Sequence, residues 1–199
     1  MRQSLPVFLL LAIFLFTHCD GPTQQYERKV KEELASGLRF DSLFLGIYLG
    51  MPAKEFYTHC WELNKQKLIK EGPGNASVLY YPPDFKEITK MTFYPKFYED
   101  KIYEVPIELM YEAWAPWNKQ YFADKLEVEA LQVLEKWYGE GFMQIEHPER
   151  GKVFVKVDGN RRISVWHTDE QKVKVLITDL ITDKAVKAVK DNEKGISGK

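Results

Sequence analysis

Cysteine is nearly absent from this chain of 199 residues: Cys19 and Cys60 are the only two. Two cysteines cannot make the disulfide framework of a small secreted scaffold, and they cannot supply a zinc site built on cysteine ligands. Histidine is scarce as well. His59, His147 and His167 lie on three separate stretches, without the i, i+4 pairing of a helical metal site. Neither a metal nor another cofactor is therefore expected. A surplus of one charge is also missing: 28 Lys and Arg meet 29 Asp and Glu, whereas a nucleic-acid binder carries a basic excess. No Gly-x-Ser-x-Gly elbow, phosphate loop or dinucleotide fingerprint occurs.

Long apolar runs are missing too, with one exception. Leu5 to Phe16 are twelve consecutive apolar residues behind Arg2, a helix of roughly 18 Å against a hydrocarbon core of about 30 Å. That is too short to span comfortably, and it matches the apolar region of a secretory signal. Ordinary cleavage after Gly21 would leave Pro22 as the new amino terminus, which such peptidases handle badly. Phe16-Thr17-His18-Cys19 resembles the lipobox of bacterial lipoproteins, in its cysteine, its position and the apolar residues upstream. It departs from that pattern at His18, where Gly, Ala or Ser is usual, and at Phe16, where Leu is usual. The resemblance implies that residues 1–18 are a signal peptide and that Cys19 carries lipid at the start of the mature chain. It places the protein on the bacterial cell envelope, at the periplasmic face or the cell surface. An uncleaved short anchor and a simple secreted protein are the alternatives.

The mature chain reads as a tether, one domain and a tail. In residues 19–39, Tyr26, Val30 and Leu34 form a thin helical stripe among charges, which predicts a linker helix. A single α+β domain is expected over 40–182, with a flexible tail over 183–199. One helix is predicted from Ala53 to about Lys70, with Phe56, Cys60 and Leu63 on one face. A second runs from about Lys125 to Tyr138, and Asp124 with Glu127 has the spacing of a capping box. Strand patterns fall at 78–81, 88–94 and 102–114. They return as a meander from Phe142 onward, with Asp158-Gly159 as its clearest turn signal. Val153, Val155, Val157, Ile163, Val165, Val173, Val175 and Ile177 alternate with Lys152, Lys156, Arg162, Lys172 and Lys174, which predicts one apolar and one basic face. Pro106 hints at a bulge or an edge position.

The fold expected is thus an antiparallel sheet of about six to seven strands with two main helices packed on it. The halves 45–116 and 117–180 each read helix, then meander. That order resembles the tandem layout of beta-lactamase-inhibitor-protein-like domains, and the Leu49-Gly50-Met51 lead into the first helix is similar to the Gly-Met entry of small outer-membrane assembly lipoproteins, which carry a single such unit. It implies a binding module.

Chemistry is hard to find. Glu104, Glu108 and Glu112 are spaced four apart on a strand, roughly 13 Å between neighbours, which is too far for the carboxylate pair of a glycosidase. They read as a solvated face. Aromatic residues crowd the middle of the chain, and Trp114, Trp117, Asn118 and Tyr121 are the best candidates for an exposed interaction surface. The leading expectation is a non-enzymatic, lipid-anchored envelope protein binding another protein or an envelope polymer. The alternatives are an envelope glycan-acting enzyme with a dispersed carboxylate site, and a structural periplasmic spacer.

Overall fold

The computed structural model of the chain describes residues 21–75 and 77–197. The signal peptide expected over 1–18 and the lipid attachment expected at Cys19 lie outside the described residues. The described chain runs α1 (Pro22–Ser36), α2 (Ala53–Lys65), β1 (Ile69–Glu71), β2 (Val78–Tyr80), β3 (Thr89–Phe93), β4 (Lys96–Tyr98) and β5 (Lys101–Tyr111). It continues as α3 (Ala123–Tyr138), β6 (Met143–His147), β7 (Gly151–Asp158), β8 (Arg161–His167), β9 (Val173–Asp179) and α4 (Leu180–Ser197). The strands form one open antiparallel sheet in the order β1-β2-β3-β5-β9-β8-β7-β6, with β4 also paired to β5.

The α+β class is as expected, but the sheet has nine strands rather than six to seven, and four α-helices rather than two frame it. The extra strands β1 and β4 are three residues each, too short to show a period of two. β1 was hidden in the tail of the predicted first helix. That helix stops at Lys65 instead of Lys70, because Lys67 adopts φ 61° and turns the chain into the sheet. Pro106 is not at an edge; it lies in the central strand β5, opposite Leu176 of β9. On its other side the neighbour changes from β4 to β3, and Val105 and Pro106 have no register partner there. The β4–β5 register shifts between Lys96 and Phe97, which pair with Glu104 and Ile102 and leave Tyr103 of β5 as the extra residue.

One face of the sheet holds the main core. Ile107, Leu109, Ile163, Val165, Val175 and Ile177 lie beneath Leu126, Ala130 and Leu134 of α3, and Phe44, Ile47, Leu49, Met51 and Phe56 complete the cluster. The helix α3 starts without the expected capping box. Phe122 is its N-cap and makes no side-chain cap bond. The Ala123 N–H donates to the Glu170 carbonyl at 2.9 Å, Asp124 pairs with Lys125 at 3.1 Å, and Glu127 turns inward.

The other face is not uniformly basic. Val155 pairs with Ser164 and Val157 with Arg162, so the β7 valines point away from Ile163 and Val165. Alternation distinguishes the two faces of a strand, but it does not say which one meets the main core when both are covered. Val153, Val155, Ile145 and Met143 form a second, smaller cluster with Trp166, closed by Tyr26 of α1. The segment read as a tether therefore docks on the domain. Glu33 of α1 accepts the Gly159 N–H at 2.7 Å, and Lys29 with that N–H holds its carboxyl below the usual range. Next to this contact, Phe40 N–H donates to Asn160 at 2.7 Å and Arg39 reaches Asp179 at 3.1 Å.

On the main-core side of the same hairpin, Lys156 and Arg161 both bind Asp158, and Arg161 also donates to the Ser42 carbonyl at 2.8 Å. The stretch 183–199, read from sequence as a flexible tail, instead carries α4 as far as Ser197. The cause is local: Asp179 accepts the Ile181 N–H at 3.0 Å, the bond an N-cap makes, while Leu180 and Val186 are buried. Among the described residues no helix is long and apolar enough to cross a membrane.

Candidate binding groove

The helices cover the second face unequally. α1 lies over β6 and β7, and α4 meets the same face of β5 and β9 near Arg162, whereas around Leu79, Thr92 and Glu108 that face has no helix on it. Register places Lys70, Leu79, Thr92, Glu108, Lys174 and Trp166 in one row across six strands. At about 4.8 Å per strand, that row is roughly 24 Å long. Beside it, Lys90 sits opposite Met110, and Pro106 opposite Leu176. Part of this surface forms an open groove of about 620 Å³, whose lining includes Leu79, Tyr81, Lys90, Tyr94, Glu108 and Lys172. Its floor is largely apolar and its charges stand at defined points.

Each charge is held by a partner. Glu108 receives Lys172 at 2.8 Å and also binds Lys174. Burial alone would raise its carboxyl, but these two ammonium groups outweigh burial and hold it below the usual range. Lys90 meets Glu112 at 2.9 Å, and the Tyr81 hydroxyl donates to the same carboxylate at 3.3 Å. The three glutamates read as a solvated face thus make four ion pairs, with Glu104 bound to Lys96 at 2.7 Å. At one end the Tyr94 hydroxyl is 2.7 Å from that of Tyr57, which extends the aromatic lining onto α2, where Tyr57 and Trp61 are more than half exposed.

The residues singled out from sequence lie elsewhere. Trp114 is half-buried against the core, and its indole N–H donates to the Glu170 carbonyl at 3.1 Å. Tyr121 packs edge-on to Tyr111 at 5.6 Å. The Asn118 N–H closes a turn onto Ala115, and only Trp117 stands free, 85% exposed. The groove could have been found from β5, where Pro106 and Met110 interrupt the acidic face: a purely solvated face has no need of apolar residues at two of its alternate positions.

One further cluster has the look of chemistry. Glu127, 3% exposed, lies 2.8 Å from His167 Nδ1 and 3.1 Å from Lys152. A buried carboxylate holding an imidazole is two-thirds of a nucleophilic relay. Among the described residues no hydroxyl or thiol is hydrogen-bonded to the other ring nitrogen, so the arrangement fastens α3 to β8. His59 likewise faces the Leu45 carbonyl, at 2.6 Å, and not Cys60. No group of three or more His, Cys, Asp or Glu among the described residues is placed to hold a metal.

Cys60 is packed against the main core, and burial pushes its thiol up to about 11. In the Cys19→Ser chain, Cys60 is the sole thiol. Its reaction with a disulfide reagent at pH 7.5 is expected to run at least tenfold slower than in the urea-unfolded chain, because the thiolate is the nucleophile. The rate should climb as pH rises toward 11, and equal folded and unfolded rates would contradict the burial.

Comparison of the chain with protein-family models, with curated proteins and with solved structures finds no match in any of the three.

Proposed function

We propose that this is a lipid-anchored, non-catalytic cell-envelope protein that holds an envelope polymer or protein against the open half of its sheet. The observation that carries the reading is the groove: an apolar floor, tyrosine rings and fixed charges on a face that the chain's own helices leave uncovered. Ligand sites have this composition, mostly apolar with a few placed polar groups. The lipobox-like Phe16-Thr17-His18-Cys19 supports the anchor. If Cys19 is acylated, only Asp20 and Gly21 separate it from α1, a reach of about 10 Å. Since α1 docks on the domain, the domain then sits close to the bilayer and is not held off it on a stalk.

The topology supports the finer reading of a duplicated unit. α2 with β1 to β5 and α3 with β6 to β9 are two helix-plus-meander halves, and β5 and β9, the last strand of each, pair in the middle of the sheet. That order resembles the tandem layout of beta-lactamase-inhibitor-protein-like domains, which supports a binding role.

Two measurements test the proposal. Intact mass of the membrane-extracted protein should show an acylated chain beginning at Cys19, and Cys19→Ser should release the protein into the soluble fraction; an unacylated chain starting at Pro22 ends the anchor idea. A photo-crosslinking residue at Tyr94 should trap envelope material in native cells, whereas one at Trp117 should not. Crosslinks confined to the Trp117 position would displace the groove as the site.

A further inference from the structure

We propose that the ligand of the groove is an acidic glycan strand lying across the sheet. This deepens the preceding reading and rests on it.

Charge comes first. Lys70, Lys90, Lys172 and Lys174 surround the groove, and Glu108 and Glu112 are the carboxylates that answer them. The face therefore carries two excess positive charges on a chain whose formal net charge is −1. A local excess against the overall sign selects an anionic ligand.

The shape of the site separates a glycan from an acidic polypeptide. Peptides that bind a sheet gain most from main-chain bonds to an exposed edge strand. Here the floor is β2, β3 and β5, each already paired on both sides, so the floor's backbone has no ladder to offer. A ligand on this face must be held by side chains. Sugars suit that demand: their hydroxyl and carboxylate groups match Lys90, Lys172, Thr92 and Ser77, and their C–H faces suit the electron-rich faces of tyrosine rings. Tyr81 and Tyr94 are pre-positioned through bonds to Glu112 and Tyr57. The row from Lys70 to Lys174, roughly 19 Å across five strands, is long enough for several sugar rings in succession.

The test titrates the full-length chain in mild detergent with polygalacturonate, with neutral dextran and with polyglutamate. Polygalacturonate should bind, and its affinity should fall at least tenfold between 50 and 300 mM NaCl, since exposed charges are screened over about 8 Å at physiological salt. Lys90→Glu combined with Lys172→Glu should weaken it at least tenfold. Tyr94→Ala, at a 38% exposed position, should weaken it about fivefold, with Trp117→Ala unchanged. Dextran binding as tight as polygalacturonate overturns the charge selection. Polyglutamate binding as tight overturns the glycan in favour of an acidic polypeptide. Binding of none of the three overturns the inference, while crosslinking from Tyr94 in native envelopes would still support the groove itself.

Discussion

Gly159→Ala is expected to destabilise the protein by roughly 2–4 kcal/mol, combining left-handed backbone strain with forced overpacking. At about 2–4 °C per kcal/mol for a chain of this size, the melting temperature should drop by roughly 4–16 °C. Gly159 has φ 50°, and a Cβ there would lie 2.2 Å from the Leu38 carbonyl oxygen. The contact is between backbones, so no side chain can swing away to relieve it. Its N–H is also the donor to Glu33 that pins the end of α1. Gly151→Ala is the matched comparison, because Gly151 has φ 68° but nothing within 4 Å of the added carbon. It should cost only the backbone strain, about 1–2 kcal/mol. Equal losses in thermal melts of the two variants would mean that the segment around Leu38 does not dock on the β7–β8 hairpin in solution. A larger loss for Gly159 would confirm that α1 belongs to the folded domain.

Leu126→Ala should cost about 2–5 kcal/mol, read from the urea midpoint at constant slope. Leu126 is fully buried in α3, where it meets the main core cluster, and its removal leaves a cavity that β-sheet neighbours cannot collapse to fill. Val128, two residues further along the same helix, is 56% exposed. Val128→Ala should stay within about 0.5 kcal/mol, the usual range for a surface change. The pair thus tests which face of α3 is buried, independently of helix propensity. Similar losses at both positions would require a different rotation of the helix on the sheet.

The same helix shows how far the sequence could be read. Its stripe of Leu126, Ala130 and Val133 is a local periodicity, and local periodicity is legible without knowing what covers it. The capping-box spacing at Asp124 and Glu127 misled, because Glu127 had a stronger use: a buried bond to His167, forty residues away. β7 misled in the same manner. Its valines alternate cleanly, yet they face the small cluster under α1 and leave Lys156 on the main-core side, bound to Asp158. As for the site, Glu108, Tyr81 and Tyr94 were visible in the sequence as a strand face and as members of an aromatic crowd. Nothing local tied them to Lys90 or Lys172, which are brought together only by strand pairing.

The sequence by itself determined the twelve-residue apolar run ahead of Cys19, the absence of a nucleotide-binding or metal-ligand motif, the α+β alternation of elements, and the faces of α3 and β5. Each of these depends on neighbours within a few residues, where composition and period act directly. Tertiary structure alone decided that α1 is part of the domain and that β5 and β9 meet at the middle of the sheet. It also decided that one half of one face stays uncovered. Those outcomes depend on which surfaces meet across 64 residues, as for Leu109 and Val173, to 126 residues, as for Glu33 and Gly159, and a half-covered sheet has no counterpart in the sequence of any one strand.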